Sequence, residues 1–153
     1  MSLSRVMFSK ASDEWATPQA TFDRLNAIWD FTLDPASTPE NAKCAKFYTK
    51  EQDGLLYDWA GERVWLNPPY SDIKRWMRKA MQEGQKPDTV VVCLIPARTD
   101  TAYWHEYVMT VWPHGIEFLR GRLKFGGMEN GAPFPSVIVT FGGTAGVQLG
   151  MLE

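Results

Sequence analysis

Little in this sequence places it at a glance. Cysteine is scarce: only two are present, Cys44 and Cys93, far apart in the chain. That excludes a disulfide framework, and neither stands at metal-ligand spacing. No apolar run approaches the roughly 18 residues that a bilayer span requires. The N-terminus also lacks the apolar core of a secretory signal, so a soluble, cytoplasmic chain is expected. An excess of either charge is missing as well, with 16 Lys+Arg against 18 Asp+Glu. This excludes a protein that holds nucleic acid by bulk electrostatics alone, although a local basic face stays compatible with it. There are no repeats, low-complexity tracts or Pro/Gly/Ser-rich linkers. The 153 residues therefore read as a loosely tied segment, 1–12, followed by one domain, 13–153.

What is present is an ordinary globular composition, 44% hydrophobic and 22% charged, with seven tryptophans within an aromatic total of 13%. Rings in such number pack a core or stack a flat ligand, so their location matters. Along the chain, Thr17-Pro18 reads as a helix start, with Thr as N-cap and Pro at the first helical position. Phe22, Leu25, Ile28 and Trp29 follow at helical spacing. Phe31 to Leu33 reads as a short strand stopped by Asp34-Pro35, and 36–61 as a long irregular connection of the kind that often carries function. Arg63 to Leu66 is a second strand, ending at Asn67-Pro68-Pro69-Tyr70. Ser71 is expected to cap a helix carrying Ile73, Trp76, Met77 and Ala80 on one face.

Thr89 to Ile95 is the strongest strand, apolar at nearly every position, as suits a central strand covered on both faces. A helix from Asp100 or Thr101 to about Val111 is expected, then strands at Ile116 to Leu119, Leu123 to Phe125 and Ser136 to Phe141. This order predicts a three-layer α/β domain with a mostly parallel sheet and an antiparallel C-terminal edge.

In such a sheet, ligands bind beyond the carboxyl ends of the strands. Asp34-Pro35, Asn67-Pro68-Pro69-Tyr70 and Pro96-Ala97-Arg98 all fall there. The second is the informative one. Its prolines fix an extended backbone and remove two N–H donors, leaving carbonyl acceptors beside the Asn67 amide oxygen and the flat ring of Tyr70. The run is a common turn composition, and it also suits a planar amine. An exocyclic amino group on a heteroaromatic ring is barely nucleophilic, because its lone pair is delocalised. If the Asn67 side-chain oxygen and the Pro68 carbonyl each accept one of its N–H bonds, the nitrogen can pyramidalise. Both acceptors then strengthen as positive charge develops on nitrogen. Tyr70 would stack on the ring.

The chain resembles the phage-type DNA N-6-adenine methyltransferases, S-adenosylmethionine-dependent enzymes with an Asn-Pro-Pro-Tyr motif. The resemblance runs from about Asp13 to Phe141. It is carried by Glu14-Trp15-Ala16-Thr17-Pro18, Leu33-Asp34-Pro35-Ala36, Asn41-Ala42-Lys43-Cys44, Asp53-Gly54-Leu55, Asn67-Pro68-Pro69-Tyr70, Pro96-Ala97-Arg98-Thr99-Asp100-Thr101 and Arg120-Gly121-Arg122-Leu123-Lys124-Phe125. It implies a small Rossmann-like methyltransferase core, S-adenosyl-L-methionine as cofactor, and DNA with the target base flipped from the duplex as partner. Asn67, Pro68, Pro69 and Tyr70 would be catalytic, with a phage or prophage gene acting in a bacterial host's cytoplasm. It further implies that Trp15, Thr17, Pro18, Asp34 and Pro35 hold the cofactor. That agrees with a carboxylate's capacity to pair the ammonium of the methionine moiety. Asp53, or its competitor Asp58, would meet the adenine ring. One departure is plain: the glycine-rich turn usual after the first strand is missing from Asp34-Pro35-Ala36-Ser37.

Arg98 is suited to phosphate, to the cofactor carboxylate or to pairing with Asp100. Arg120, Arg122 and Lys124 alternate along a strand-like segment and would face phosphates, with the cations of the preceding helix (Lys74, Arg75, Arg78, Lys79) either joining them or forming a solvated face. His105 reads as a packed or surface histidine. No metal is expected, and a homodimer stays open. The expected reaction is methyl transfer to the exocyclic amine of adenine in DNA. Two alternatives remain: an amino-methyltransferase acting on a cytosine amine, RNA base or glutamine amide, and a non-catalytic nucleic-acid or nucleotide-binding module.

Overall fold

A computed structural model describes residues 16–126 and 128–143. The expected segment 1–12 and Trp15 lie outside the described residues. The described chain folds as a mixed α/β unit around one four-stranded sheet, formed by β1 (Arg63–Leu66), β2 (Val90–Pro96), β3 (Ile116–Phe118) and β4 (Ser136–Gly142). The strand order is β1-β2-β4-β3. β2 is buried at every position, as its run of β-branched residues demands. β1 lies parallel to it, with Leu66 opposite Cys93. β4 runs antiparallel to β2, with Pro96 opposite Ser136, and antiparallel to β3, with Phe118 opposite Val137.

The expectation of a mostly parallel sheet is therefore corrected. No helix separates β3 from β4, so they pair as a hairpin does, and β4 slots in beside β2 rather than at the rim. The strand expected at Phe31 to Leu33 contracts to parallel bridges, Leu33 with Val64 and Asp34 with Phe47. Pro35 has no N–H with which to extend the ladder. Leu123 to Phe125 is not a strand either. The Leu123 carbonyl accepts from the amide of Ala132, and the Gly126 amide donates to the carbonyl of Ala16, so these groups serve a folded loop.

The helices also differ in detail. α1 (Gln19–Trp29) takes Pro18 as its N-cap, and the Pro18 carbonyl accepts from Thr21 and Phe22, so Thr17 is not the cap. Phe22 and Leu25 are buried, with Trp29 packed beside them, whereas Ile28 falls off that stripe and is exposed. α2 (Ile73–Gly84) is entered through a 3-10 turn over Tyr70–Asp72, which puts Asp72 rather than Ser71 at its N-cap. The helix expected to reach Val111 breaks into α3 (Ala102–Glu106) and a 3-10 turn, Val108–Val111.

Alternate residues of β2 feed the two faces of the sheet. Val91, Cys93 and Ile95 join Trp76, Met77 and Ala80 of α2 and Tyr103 and Trp104 of α3. Val90, Val92 and Leu94 join Phe22 and Leu25 of α1, together with Tyr70, Phe125 and Phe134. Each large apolar side chain so buried contributes about 1.5–3 kcal/mol. Most of the tryptophans are thus core: Trp59, Trp65, Trp76 and Trp104 are buried, and Trp112 is exposed. No described helix is long and apolar enough to cross a membrane.

Candidate active site

A cavity of about 410 Å³ opens beyond the carboxyl ends of β1 and of the neighbouring Leu33 bridge. Thr17, Asp34, Pro35, Asp53, Asn67 and Pro69 all belong to its lining. Residues predicted from distant parts of the sequence therefore meet at one place. Its volume lies within the usual range for small-molecule sites, roughly 300–1,000 Å³.

Asp34 is held rigidly. Its backbone amide donates to Lys46 and its carbonyl accepts from Tyr48, while Oδ2 accepts the Lys43 amide at 2.9 Å. The residue is only 3% exposed, and among the described residues no cation forms an ion pair with it. Burial pushes its pKa up to about 6, against the downward pull of hydrogen bonds from the Lys43 and Ala36 amides and the Ser37 hydroxyl. The nearby Lys43 charge also lowers it without forming an ion pair, so this desolvated carboxylate on the wall of a cavity has the character of a cation site.

Asp53 reaches the same cavity because the chain behind it is pinned. Gly54 touches Pro35 so closely that a Cβ there would stand 2.1 Å from the Pro35 carbonyl oxygen. The Gly54 carbonyl accepts from the Trp59 indole at 3.0 Å, and the Trp59 amide donates to Glu83 at 2.6 Å. Glu83 is itself buried and ion-paired with Lys79 and Lys86. Asp53 takes a positive φ of 61° and accepts from the Leu55 amide, which turns the chain across the cavity. Asp58 is different: it is exposed, bound to Lys86 at 2.8 Å, and absent from the cavity lining.

In the same lining, Asn67 Nδ2 donates to Thr17 Oγ1 at 3.2 Å, and the Tyr70 hydroxyl donates to Asn67 Oδ1 at 3.2 Å. Pro69 lines the cavity and Pro68 is buried behind it. Pro18 is half-buried and serves α1 rather than the lining. Tyr70 is 6% exposed, with its ring edge-on to Phe134 at 5.6 Å. Burial holds its phenol protonated, far above the usual range. A ring so covered offers no base-sized face until its neighbours move.

The basic residues separate into groups. Lys74, Arg75 and Lys79 of α2 are tied to Glu106, Asp72 and Glu83. Arg98, Arg120, Arg122 and Lys124 are exposed and make no ion pair among the described residues. Arg98 lies 5.7 Å from the Phe134 ring centre, and Arg122 donates to the Ala132 carbonyl. None of these four lines the cavity. Arg98 follows β2 and Arg120 follows β3, so both stand at the same end of the sheet as Asn67. Three strand spacings, roughly 14 Å, separate β1 from β3 along that rim.

Sequence reasoning missed Lys43 and Trp65 in the lining, and it read Arg75 as a phosphate-facing or solvated cation rather than a lining residue. Lys43 sits in a connection without periodicity, and Trp65 is also a core residue of β1. Neither carries a local signal of its role.

The mixed α/β sheet thus carries a polar cavity at its strand ends, beside the Asn-Pro-Pro-Tyr turn and a buried acid. The sequence pattern of the DNA N-6-adenine-methyltransferase (Dam) family matches residues 5–138, and the chain belongs to that family. It is 33% identical over 134 residues to the DNA N-6-adenine-methyltransferase of Escherichia phage T1, across 78% of this chain and 56% of that protein. It is 29% identical over 127 residues to the protein of the same name from Haemophilus phage HP1 (strain HP1c1), across 80% of this chain and 73% of the relative. The match thus spans little more than half the length of the T1 protein.

Proposed function

We propose that this chain methylates the exocyclic amine of adenine in DNA, with S-adenosyl-L-methionine as donor and a Rossmann-like, three-layer methyltransferase core as its frame. The observation that carries this reading is the convergence of Thr17, Asp34, Pro35, Asp53, Asn67 and Pro69 on the lining of one cavity. The buried carboxylate of Asp34, which forms no ion pair among the described residues, fits the ammonium of the cofactor's methionine end, and the carboxylate of Asp53 suits hydroxyl or amino donors of its nucleoside. Thr17 and Pro35 close the same space, and Trp15 belongs to this group by its place in the matching motif. When bound, S-adenosyl-L-methionine supplies an electrophilic methyl on a sulfonium.

The chain's own residues prepare the acceptor. Asn67 Oδ1 and the Pro68 carbonyl each accept an N–H of the target amine, drawing its lone pair out of the ring and gaining strength as the nitrogen becomes cationic. Tyr70 holds the Asn67 amide through its hydroxyl, and its ring serves a flipped base once the Phe134 loop gives way. The target amine is buried in duplex DNA, so the base must be extruded. Arg98 and Arg120 face the phosphates along the rim that also carries Asn67, with Arg122 and Lys124 extending the basic set in the loop that follows.

The test supplies the protein with labelled S-adenosyl-L-methionine and, separately, DNA, RNA and a protein mixture, followed by nucleoside digestion and mass spectrometry. Label should enter DNA as N6-methyladenine. Label in RNA or protein instead would move the chain to another acceptor, and cofactor binding without transfer to any of them would make it a binding module.

A further inference from the structure

We infer that Thr17 is a positioning residue for Asn67, and that it ties the orientation of the catalytic amide to the basic loop that follows β3. This rests on the function proposed above. The ends of an asparagine amide are nearly the same size, so shape alone does not decide which one faces a substrate. The distinction is decisive here: Oδ1 accepts from an amine, whereas a flipped Nδ2 would meet it donor against donor. Two hydroxyls contact its two ends. Thr17 Oγ1 accepts from Nδ2 at 3.2 Å, and the Tyr70 phenol, a better donor than acceptor, gives its proton to Oδ1 at 3.2 Å. Thr17 is only 6% exposed, so water does not substitute freely for its hydroxyl.

The position of Thr17 is in turn fixed from the other side. The carbonyl of Ala16 accepts from the Gly126 amide at 3.0 Å, and a Cβ on Gly126 would come within 3.1 Å of the Ala16 side chain. A short path of contacts thus runs from the loop bearing Arg120, Arg122 and Lys124, through Ala16 and Thr17, to the Asn67 amide. Movement of that loop against a polyanion reaches the acceptor oxygen along it.

Thr17→Val keeps the shape and removes the acceptor, while Thr17→Ser keeps the hydroxyl. In ¹⁵N spectra the Asn67 side-chain amide, assigned by its loss in Asn67→Ala, should shift and broaden in Thr17→Val and stay near its original position in Thr17→Ser. With DNA as acceptor, kcat in Thr17→Val should fall about 3- to 10-fold, the range that one neutral hydrogen bond supports. Because Thr17 also lines the cofactor cavity, the fall in kcat at saturating S-adenosyl-L-methionine should exceed any change in cofactor Kd, and Thr17→Ser should recover most of the loss in kcat. An unchanged Asn67 amide signal in Thr17→Val overturns the inference. So does a loss confined to cofactor Kd or KM, which would make Thr17 a cofactor contact only, and so does a shifted amide signal with unaltered kcat. If the unmodified protein transfers no methyl to DNA, the proposed function fails, while the amide spectra still decide whether Thr17 orients Asn67.

Discussion

Replacing Asp34 by asparagine should make the cofactor-free protein more stable and the cofactor site weaker. The carboxyl has a pKa of about 6 in the fold against 3.8 when solvated, so holding it as an anion costs the empty protein about 3 kcal/mol at neutral pH. The sign follows from linkage. Between pH 3.8 and 6 the unfolded chain gives up this proton more readily than the native one, so the contribution of Asp34 to stability is greatest below 3.8 and declines as pH rises to about 6. Asparagine can still accept the Lys43 amide, but it brings N–H groups that need partners, so a gain of about 1–2 kcal/mol is expected rather than the full amount. For a chain of this size that raises Tm by about 3–6 °C.

The opposite effect should appear in cofactor affinity. Loss of a charge-assisted contact to an ammonium weakens binding by about 2 kcal/mol, roughly 30-fold. In the unmodified protein, affinity should fall about tenfold per pH unit below pH 6, because Asp34 must release its proton to pair with the ligand. The Asp34→Asn variant should show no such slope. Thermal unfolding at pH 5 and 7, with titration calorimetry of S-adenosyl-L-methionine from pH 5 to 8, measures both. A variant that loses stability at pH 7, or that keeps the affinity and pH slope of the original, would refute the view of Asp34 as a cation site that strains the empty fold.

Asn67→Ala should lower the rate of methyl transfer about 10²- to 10³-fold and leave cofactor Kd within about threefold, read by steady-state kinetics and calorimetry. Arg98→Ala, Arg120→Ala and Lys124→Ala should each weaken DNA binding and reduce the slope of log K against log salt by about 1, while Lys74→Ala, whose charge is engaged with Glu106, should leave the slope unchanged. Gly54→Ala sets a methyl 2.1 Å from the Pro35 carbonyl oxygen and should destabilise by about 1–3 kcal/mol in denaturant titration, with weaker cofactor binding because the Asp53 turn moves.

Much of this fold is written locally in the chain. The TVVVCLI run gives β2, the apolar spacing from Ile73 to Ala80 gives α2, and the polar stops after Leu33 and Leu66 mark where the cavity opens. What local pattern does not carry is pairing. β4 comes last in sequence yet lies next to β2, and nothing in the residues Ser136 to Phe141 distinguishes an edge from an interior position. Leu123-Lys124-Phe125 alternates as a strand would, but Leu123 bonds across its own loop to Ala132. The choice between Asp53 and Asp58 was likewise undetermined by composition. The close approach of Gly54 to Pro35 draws Asp53 to the cavity, and Lys86 holds Asp58 outside. Tyr70 was legible as an aromatic beside Asn67, but its burial against Phe134 depends on a loop more than sixty residues away in sequence.

The hairpin that joins β3 to β4 leaves and re-enters the sheet at neighbouring points, where the Leu119 amide donates to the Ser136 carbonyl. A segment whose two feet are clamped side by side can be lengthened or exchanged with little entropic cost, about 0.6 kcal/mol for each doubling. Its buried residues Phe125, Ala132 and Phe134 pack with Tyr70, and its Gly126 amide is bound to Ala16, so such change is tolerated only at its exposed positions. Natural variation or engineering can therefore alter the surface presented here while the turn between β1 and α2 stays as it is.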